Sequence, residues 1–476
     1  MTKNLIHIFE KELVHTPTKD QKMAIKKLSA FVLSPNSQEG FVFQGYAGTG
    51  KTSLIGALVK ALGSVKLKSV LIAPTGRAAK VMATYAQKEA LTIHKKIYFQ
   101  EDFDGTMRFT LGKNLHTNTV FIVDEASMVS SDAGISNGMF EQRNLLTDLF
   151  RYVYNGKNCK LIFVGDYAQL PPVGLAISPA LDAIYLEDRF HIPFILSELK
   201  EVVRQEKESG ILFNATNLRT QIEKENNYEL KINPNFPDTC RISGMELQDE
   251  LESCVSKYGI EGTMIICRSN KRANLFNQQV RNRILWMEDE LTSGDLMMVV
   301  KNNYHWLDAN SKMGFIANGD IVKILRVTRC EELYGFRFAD VTISFLDEKE
   351  ESALECKILL ETIDAEGPNL PRERMKELFF AIEEDFMDIR SRKKRYDLIM
   401  KSPHMNALQV KFSYAVTCHK SQGGQWPAVF IDQGYLTEEM LDKEYMRWLY
   451  TAVTRATDKL YFVNFNKMFY EDEEEV

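Results

Sequence analysis

The segment FVFQGYAGTGKT, from Phe41 to Thr52, decides the fold of this 476-residue chain. Its apolar start, FVFQG, predicts a buried strand, and Leu54, Leu58 and Leu62 recur at helical spacing after Lys51. Between the two, GYAGTGKT fits G-x-x-x-x-G-K-[ST] directly after a strand and at the start of a helix. The glycines let backbone N–H groups turn toward a polyphosphate, and the helix N-terminus adds positive potential. The segment therefore predicts a phosphate-binding loop.

The residue types around this loop predict a nucleoside triphosphate with Mg²⁺. Lys51 is expected to reach the β- and γ-phosphates and the Thr52 hydroxyl to bind Mg²⁺. Asp124 and Glu125 directly follow the apolar run VFIV, at the end of a predicted strand. This position predicts Asp124 as the Mg²⁺ partner and Glu125 as the base that positions the attacking water. The predicted nucleotide-binding residues of the loop are Gly45, Ala47, Gly48, Thr49, Gly50, Lys51, Thr52 and Ser53.

Short apolar runs alternate with helical stretches along the rest of the chain. Near-continuous apolar strands are typical of parallel sheets covered by helices on both faces. The first set is FVFQG, VLIAP (Val70–Pro74), TVFIVD (Thr119–Asp124) and LIFVGD (Leu161–Asp166). The second set is MIICR (Met264–Arg268), FSYAV (Phe412–Val416), AVFID (Ala428–Asp432) and LYFV (Leu460–Val463). The pattern predicts an α/β protein with two parallel-sheet domains.

Two insertions interrupt these domains. Asp104-Gly105 lies between two aromatic-containing runs and predicts a β-hairpin in the insert 97–118. The insert 291–408 opens with β-type runs and continues with one helix predicted over Arg372–Met400. The predicted domains are therefore 1–204 with the hairpin, and a second domain of 205–290 and 409–476 that carries the insert 291–408.

Composition narrows the class of protein without deciding it. Apolar residues make up 45% of the chain, the net charge is −6, and no apolar run is long enough to span a membrane. The seven cysteines lack zinc spacing. A mildly acidic chain can still carry a basic groove for nucleic acid. We expect a cytoplasmic, monomeric protein without a membrane segment, and the acidic run Glu471–Glu475 is expected to be a solvated end.

The order of motifs adds a family resemblance that covers Thr18 to about Phe465. The series is GYAGTGKT, APTGRAAKVM, TIHK, VDEASM, VGDYAQLPPVG, EVVRQ, TCHKSQGGQW and YTAVTRA. It resembles the motif series of superfamily 1 DNA helicases, in the RecD-like and Dda-like branch that moves 5′ to 3′. The resemblance implies two RecA-like P-loop domains and an SH3-like β-barrel within 291–408. It also implies an enzyme that couples ATP hydrolysis to DNA unwinding.

The resemblance also implies roles for residues outside the loop. Arg204 in EVVRQ and Arg455 in TAVTRA are similar to the arginines that reach the γ-phosphate across the domain cleft. Gln21 is similar to the residue that reads adenine, with a surface glutamine as the alternative. Gln169 ends a predicted strand and is expected to hydrogen-bond the γ-phosphate, with a plain turn as the alternative.

Motif five, TCHKSQGGQW, matches with one departure. It places Gly424 among the nucleotide-binding residues. Gln425 stands where this branch often has an acid, which weakens the expectation of a ribose or coupling contact by that side chain.

Short hydroxyls and a few cations at strand ends suit a track that holds phosphates without reading bases. The residues expected on this nucleic-acid track are Pro74, Thr75, Arg77, Thr92, His94, Thr417, His419 and Lys420. Each polar one has an ordinary cap or turn as its alternative. Phe99, Phe103 and Phe109 of the hairpin are expected to stack on the last base pair of a fork, and packing of the hairpin onto its domain is the equal alternative. The basic run Arg390–Arg395 is expected to be a solvated helix face rather than a DNA contact.

The expected partners are single-stranded and forked duplex DNA, with replication or repair proteins as further candidates. Two other functions stay open. One is an RNA-acting motor of the same superfamily, because 2′-hydroxyl recognition depends on local geometry. The other is an ATP-controlled, non-translocating subunit of a nuclease or repair complex. An inactive ATP-binding scaffold is disfavoured by the presence of Glu125 and Arg455.

Overall fold

The structure is a computed structural model of the chain. It describes residues 2–13, 15–103, 106–131, 144–202, 209–224, 227–307, 313, 315–346 and 353–470. For residues 100–103, 106–109 and 438 it describes the backbone alone. In these ranges, no helix is long and apolar enough to cross a membrane.

Strands and helices alternate through most of the described chain. The strands are β1 (Gly40–Gly45), β2 (Lys68–Ala73), β3 (Ala90–Thr92), β4 (Tyr98–Phe103), β5 (Thr106–Leu111), β6 (Thr117–Val123), β7 (Lys157–Gly165), β8 (Phe194–Leu199), β9 (Thr239–Ile242), β10 (Thr263–Cys267), β11 (Leu296–Val299), β12 (Ile321–Leu333), β13 (Phe336–Phe345), β14 (Leu354–Leu359), β15 (Leu408–Phe412), β16 (Ala415–Thr417), β17 (Trp426–Asp432) and β18 (Ala456–Val463). The α-helices are α1 (Thr2–Lys11), α2 (Lys19–Leu33), α3 (Lys51–Ser64), α4 (Gly76–Ala86), α5 (Ile93–Ile97), α6 (Leu145–Tyr154), α7 (Ala183–Phe190), α8 (Gly210–Ile222), α9 (Leu247–Tyr258), α10 (Asn270–Gln279), α11 (Glu361–Asp364), α12 (Arg372–Glu384), α13 (Arg392–Lys401), α14 (Cys418–Ser421) and α15 (Lys443–Val453).

The first domain is built on a parallel sheet of order β3-β2-β6-β7-β1-β8. The four strands predicted for it are confirmed, and their Val, Ile, Leu and Phe side chains are buried, apart from the half-buried Val70. Two strands are additional. β3 has only three residues, and β8 alternates buried with exposed positions, so neither produces a continuous apolar run.

The second domain repeats this architecture with a parallel sheet of order β16-β10-β17-β18-β9. Helices α8 and α15 pack together beside it, with Trp448, Leu449 and Leu218 in a shared core. Two covered parallel sheets confirm the predicted α/β fold class, because strands buried on both faces need helices on each side.

The insert of the second domain is a closed five-stranded barrel, β11-β12-β13-β14-β15. This confirms the predicted barrel but corrects the predicted boundary at residue 409. Strand β15 pairs with β11 and β14, so Leu408–Phe412 belong to the barrel, and the second sheet resumes at Ala415. The run FSYAV is therefore two strands separated by Ser413 and Tyr414.

The single helix predicted over Arg372–Met400 is wrong, because the segment forms two helices, α12 and α13. A new helix begins after Ser391, whose side-chain oxygen accepts a hydrogen bond from the Lys394 amide. Both helices pack on the barrel, where Leu378 and Ile399 share a core with Phe336. The break between α12 and α13 lets the apolar face of each helix pack on the curved surface of the barrel. One straight helix of the same length would leave that surface.

The predicted hairpin is confirmed as an antiparallel pair of β4 and β5, with Phe103 opposite Thr106 and Phe109 opposite Gln100. Asp104 and Gly105, on which the turn was predicted, lie outside the described residues, as do the side chains of Phe103 and Phe109. The hairpin follows α5 at the β3 edge of the first sheet.

Candidate nucleotide site and nucleic-acid interface

The phosphate-binding loop joins β1 to α3 and is held by its own backbone. Gly48 and Gly50 have φ values of 72° and 84°, in the left-handed region that favours glycine. A side chain at Gly45 would meet Lys51 Cγ at 2.8 Å. The Lys51 ammonium donates to the Gly45 carbonyl at 2.5 Å and the Tyr46 carbonyl at 2.9 Å. The predicted lysine therefore lies over the loop that precedes it.

Gln21 and Thr49 tie this loop to the start of α2. The Gln21 amide donates to the Thr49 carbonyl at 2.9 Å, and its oxygen accepts from the Thr18 amide at 3.0 Å. Gln21 is buried, so the alternative of a surface glutamine is wrong. Thr49 is buried, Ala47 and Gly48 are half-buried, and Thr52 and Ser53 are exposed at the start of α3.

The carboxylate pair lies at the end of β6, beside the loop. The Glu125 amide donates to Asp124 Oδ1 at 2.9 Å, and the Tyr85 hydroxyl donates to Asp124 Oδ2 at 2.5 Å. Burial raises the pKa of Asp124 and of Glu125, and the nearby Lys51 charge opposes both shifts. Glu125 has a φ of 49°, which turns it away from the strand direction.

The donor set suits Mg²⁺ bound together with phosphates. The described residues contain no group of three or more His, Cys, Asp or Glu side chains that could hold a metal by themselves. Mg²⁺ in nucleotide sites usually takes one or two protein oxygens and completes its shell with phosphates and water. The Thr52 hydroxyl and the Asp124 carboxylate fit that requirement.

The second domain touches the phosphate-binding loop directly. The Ala47 amide donates to the Tyr450 hydroxyl of α15 at 2.9 Å, and that hydroxyl donates to Asp166 Oδ2 at 2.5 Å. The Leu170 amide donates to Thr451 Oγ1 at 2.9 Å. Asp166 and Leu170 follow β7, so the ends of two first-domain strands meet one second-domain helix.

Arg455 is buried on the second-domain side of this cleft. Its guanidinium donates to the carbonyls of Thr451 at 3.0 Å and Gly424 at 3.2 Å, and to Thr454 Oγ1 at 3.1 Å. Its positive charge lowers the pKa of Glu125, against the larger effect of burial. The predicted arginine of one domain therefore lies close to the predicted base of the other.

The other predicted cleft residues are placed as follows. Gly424 contributes its carbonyl to Arg455, and a side chain there would collide with the Trp426 ring at 2.5 Å. Gln169 is buried, and its side-chain oxygen has no hydrogen-bond partner among the described residues. A buried unpaired carboxamide oxygen is costly, so a hydrogen-bonding ligand or water would stabilise it. Arg204 lies outside the described residues.

Three threonines of the predicted nucleic-acid track stand at helix starts. Thr75 accepts from the Ala78 amide at 3.2 Å, and Thr92 accepts from the Lys95 amide at 3.2 Å, so both cap helices. Their hydroxyl protons stay available to donate. Thr417 begins α14 without a side-chain cap bond. Pro74 is half-buried beside Thr75.

Arg77 lies between the two domains. Its guanidinium carbon is 4.0 Å from the centroid of the Trp426 ring, and Nη2 donates to the Gln425 carbonyl at 3.1 Å. Gln425, the departure from the motif, thus meets Arg77 through its backbone and keeps its side chain exposed. Arg77 connects the start of α4 to motif five.

Burial weakens the charge of the predicted track. It lowers the pKa of His94 to about 4, so this imidazole is neutral at physiological pH and serves only as a hydrogen-bonding group. Burial also lowers the pKa of His419, and it lowers that of Lys420 to about 8. Arg390 to Lys394 are exposed on and before α13, the solvated face that was expected.

Sequence reasoning missed Tyr85, Tyr450 and Trp426. Tyr85 is the last but one residue of α4 and has no motif around it. Tyr450 and Trp426 stand inside the quoted motifs, yet their partners Ala47 and Arg77 are more than 340 residues away. Each is an aromatic residue that contacts a polar or charged group distant in the sequence. Such contacts can be recognised only in the folded structure.

Comparison with known proteins agrees with this geometry. The family model described as an AAA domain matches residues 18–228, and that of the UvrD-like helicase C-terminal domain matches 412–463. The RecBCD enzyme subunit RecD of Buchnera aphidicola is 23% identical, over 89% of this chain and 70% of its own. The predicted resemblance to RecD-like superfamily 1 helicases is confirmed. The two models match in the order of the motif series, an AAA domain followed by a helicase C-terminal domain.

Further relatives of this chain come from distant sources. An uncharacterized protein of Acanthamoeba polyphaga mimivirus is 24% identical over 93% of this chain and 99% of its own length. An uncharacterized protein of Methanocaldococcus jannaschii is 25% identical over 89% of this chain but only 36% of its own. Among solved structures, Pif1 helicase from Bacteroides with ADP-AlF3 and ssDNA has a TM-score of 0.47 at 15% identity, covering 96% of this chain and 95% of its own. Pif1 from Candida albicans has 0.46 at 17% identity, covering 95% of each chain.

Proposed function

We propose that this chain is an ATP-dependent DNA helicase that moves 5′ to 3′ along single-stranded DNA and unwinds forked duplexes. The observation that carries the proposal is the shared cleft. Tyr450 of the second domain contacts Ala47 of the first, and the charge of Arg455 acts on Glu125 across the cleft. A nucleotide bound there contacts both domains, so its binding and hydrolysis change how they sit together.

The proposed chemistry is phosphoryl transfer from ATP to water. Thr52 and Asp124 would hold Mg²⁺, which would neutralise charge on the bound phosphates. Lys51, Arg204 and Arg455 stabilise the charge that spreads over the γ-phosphoryl oxygens. Glu125 orients the water, and burial raises its pKa, which makes it a stronger base than a solvent-exposed carboxylate.

The proposed coupling runs through motif five. Gly424 holds Arg455, and the next two residues, Gln425 and Trp426, hold Arg77 at the start of α4. A movement of Arg455 toward the γ-phosphate therefore pulls on a residue expected to lie along the nucleic-acid track. Alternating grip of the two domains then converts each ATP cycle into a step.

Unwinding of tailed substrates tests the proposal. Forked, 5′-tailed and 3′-tailed duplexes are incubated with ATP and Mg²⁺, and Lys51→Ala serves as the inactive variant, with the exposed Lys60→Ala on the same helix as its matched control. We expect unwinding of forked and 5′-tailed substrates only. A preference for the 3′ tail would overturn the direction, and loss of activity in Lys60→Ala would invalidate the comparison.

Two further measurements separate the alternatives. Greater stimulation of ATP hydrolysis by poly-U than by poly-dT would favour an RNA-acting motor. ATP hydrolysis without displacement of a strand or of a streptavidin block would favour a non-translocating subunit. We further propose that the protein acts as a monomer beside replication or repair proteins, which gel filtration with and without DNA would test.

A further inference from the structure

A polar pocket lies where the barrel meets the edge of the second sheet. Asn270 and Asn274 line it from α10, Lys411 from β15, and Thr417 and Lys420 from the junction of β16 and α14. The remaining lining is apolar except for Asn277, whose amide donates to the Phe412 and Ala415 carbonyls. The two lysines come from separate structural units, because β15 belongs to the barrel and α14 to the second domain.

Buried cations usually form ion pairs with carboxylates, but neither lysine forms one with a described residue. Lys411 is 4% exposed, and its ammonium donates to the Ala365 carbonyl. Lys420 is half-buried, and its ammonium makes no hydrogen bond or ion pair to any described residue. Asp364 is the acidic residue whose charge acts on Lys411. Burial lowers the pKa of each lysine to about 8, and their mutual repulsion adds to the shift at Lys420.

Two converging, poorly neutralised cations are unfavourable for folding alone, because desolvation disfavours their charged forms. An anion in the pocket would stabilise both. Hydroxyl and amide donors from Thr417 and Asn270 complement such an anion, since phosphate oxygens accept from ammonium, hydroxyl and amide groups alike.

The pocket is continuous with the predicted nucleic-acid track. Three residues after Lys420, a side chain placed on Gly423 would come within 3.1 Å of Thr75 Oγ1 in the first domain. A side chain on Gly76 would meet Asp320 Oδ1 of the barrel at 2.7 Å. Track residues of the first domain, motif five and the barrel therefore meet at one place.

We propose that Lys411 and Lys420, with Thr417, bind one backbone phosphate of a nucleic-acid strand in a site shared by the barrel and the second domain. The proposal rests on the proposed function and extends it, because Lys411 brings the barrel into the track. A site of this kind holds the strand at the second domain through charge, without contact to a base.

The salt dependence of binding tests this inference. Affinity for a fluorescent oligo-dT is measured by anisotropy between 50 and 200 mM KCl without nucleotide. One lost phosphate contact reduces the slope of log K against log[KCl] by about 0.7 for single strands. We expect that reduction in Lys411→Met and the wild-type slope in Lys411→Arg. The exposed Lys376→Met on α12 is the matched control, with an expected wild-type slope.

An unchanged slope in Lys411→Met would overturn the site. If that variant does not fold, as judged by thermal unfolding, Lys420→Met replaces it with the same expectation. Inorganic phosphate is the second probe: stabilisation of wild type but not Lys411→Met by phosphate, with equal DNA slopes, would identify a free-anion site and reject the backbone contact. Failure of the wild-type protein to bind oligo-dT at all would count against the proposed function instead.

Discussion

The nucleotide cleft and the predicted nucleic-acid track are built from different kinds of contact. In the cleft, Lys51, Asp124 and Arg455 each make two or more hydrogen bonds to neighbouring groups, which hold their charges in place. Along the track, Thr75 and Thr92 are helix caps whose oxygens are already engaged. Phosphoryl transfer needs fixed charges, whereas a strand that slides is better held by several weak and replaceable contacts.

The largest effect is expected from removing the cleft arginine. Arg455→Ala should lower the turnover number of ATP hydrolysis about 10³-fold, since a positioned arginine is worth about 10³–10⁵ in phosphoryl transfer. Binding of a fluorescent ATP analogue, measured by titration, should weaken far less. The exposed Lys467→Ala in the same domain is the control. A loss below tenfold would mean that Arg455 is only a packing residue. It would contradict the conclusion that the cleft holds fixed charges for catalysis.

The hairpin offers a second, smaller test on the nucleic-acid side. Phe103→Ala with Phe109→Ala should slow duplex unwinding about tenfold, because base–aromatic stacking is worth about 1–3 kcal/mol per base. ATP hydrolysis stimulated by single strands should not change. Of the three hairpin phenylalanines, Phe99 has its ring over Gly112 and therefore packs within the hairpin, so Phe99→Ala is the packing control. If both activities fall together, or if Phe99→Ala has the same effect, the hairpin aromatics only pack.

Arg77 contacts motif five and is also expected on the nucleic-acid track. Its removal tests whether it couples the two regions or binds a phosphate of the strand. Arg77→Met loses the stacking on Trp426, and a cation–π contact of about 0.5–2 kcal/mol corresponds to a reduction of roughly two- to thirtyfold in stimulation of ATP hydrolysis by single strands. The slope of log K against log[KCl] for oligo-dT should stay at the wild-type value. A smaller slope with normal stimulation would make Arg77 a phosphate contact of the track instead.

Tyr85 links the helix of the track to the carboxylate of the cleft, and its effect should be the smallest. The Tyr85 hydroxyl lowers the pKa of Asp124 through a hydrogen bond. Tyr85→Phe removes that bond, so the pKa of Asp124 rises and the carboxylate needs a higher pH to ionise. The acid limb of the turnover number for ATP hydrolysis should move up by about 1 pH unit or less.

The profile is measured from pH 5 to 8 at saturating Mg²⁺ and ATP. Tyr435→Phe, whose side chain is exposed, is the matched control. An acid limb that stays in place, or moves to lower pH, would contradict the role given to Tyr85.

How much of this was predictable differs from element to element. GYAGTGKT with its flanking strand and helix is a local pattern, and the loop, β1 and α3 follow it closely. The three residues of β3 carry too little periodicity to predict a strand. The segment Arg372–Met400 predicts one helix because its apolar residues keep helical spacing to Ile389, past the end of α12 at Glu384. The end of the barrel at Phe412 depends on which strand β15 pairs with, and pairing is not a local property.

The sequence by itself determined the phosphate-binding loop, the carboxylate pair and the order of motifs, because each depends on residues that are neighbours in the chain. Only the tertiary structure decided that Tyr450 meets Ala47, that Arg77 stacks on Trp426, and that Lys411 converges with Lys420. These contacts join residues from different sheets and inserts. Their partners are chosen by packing of whole domains, for which no short pattern exists.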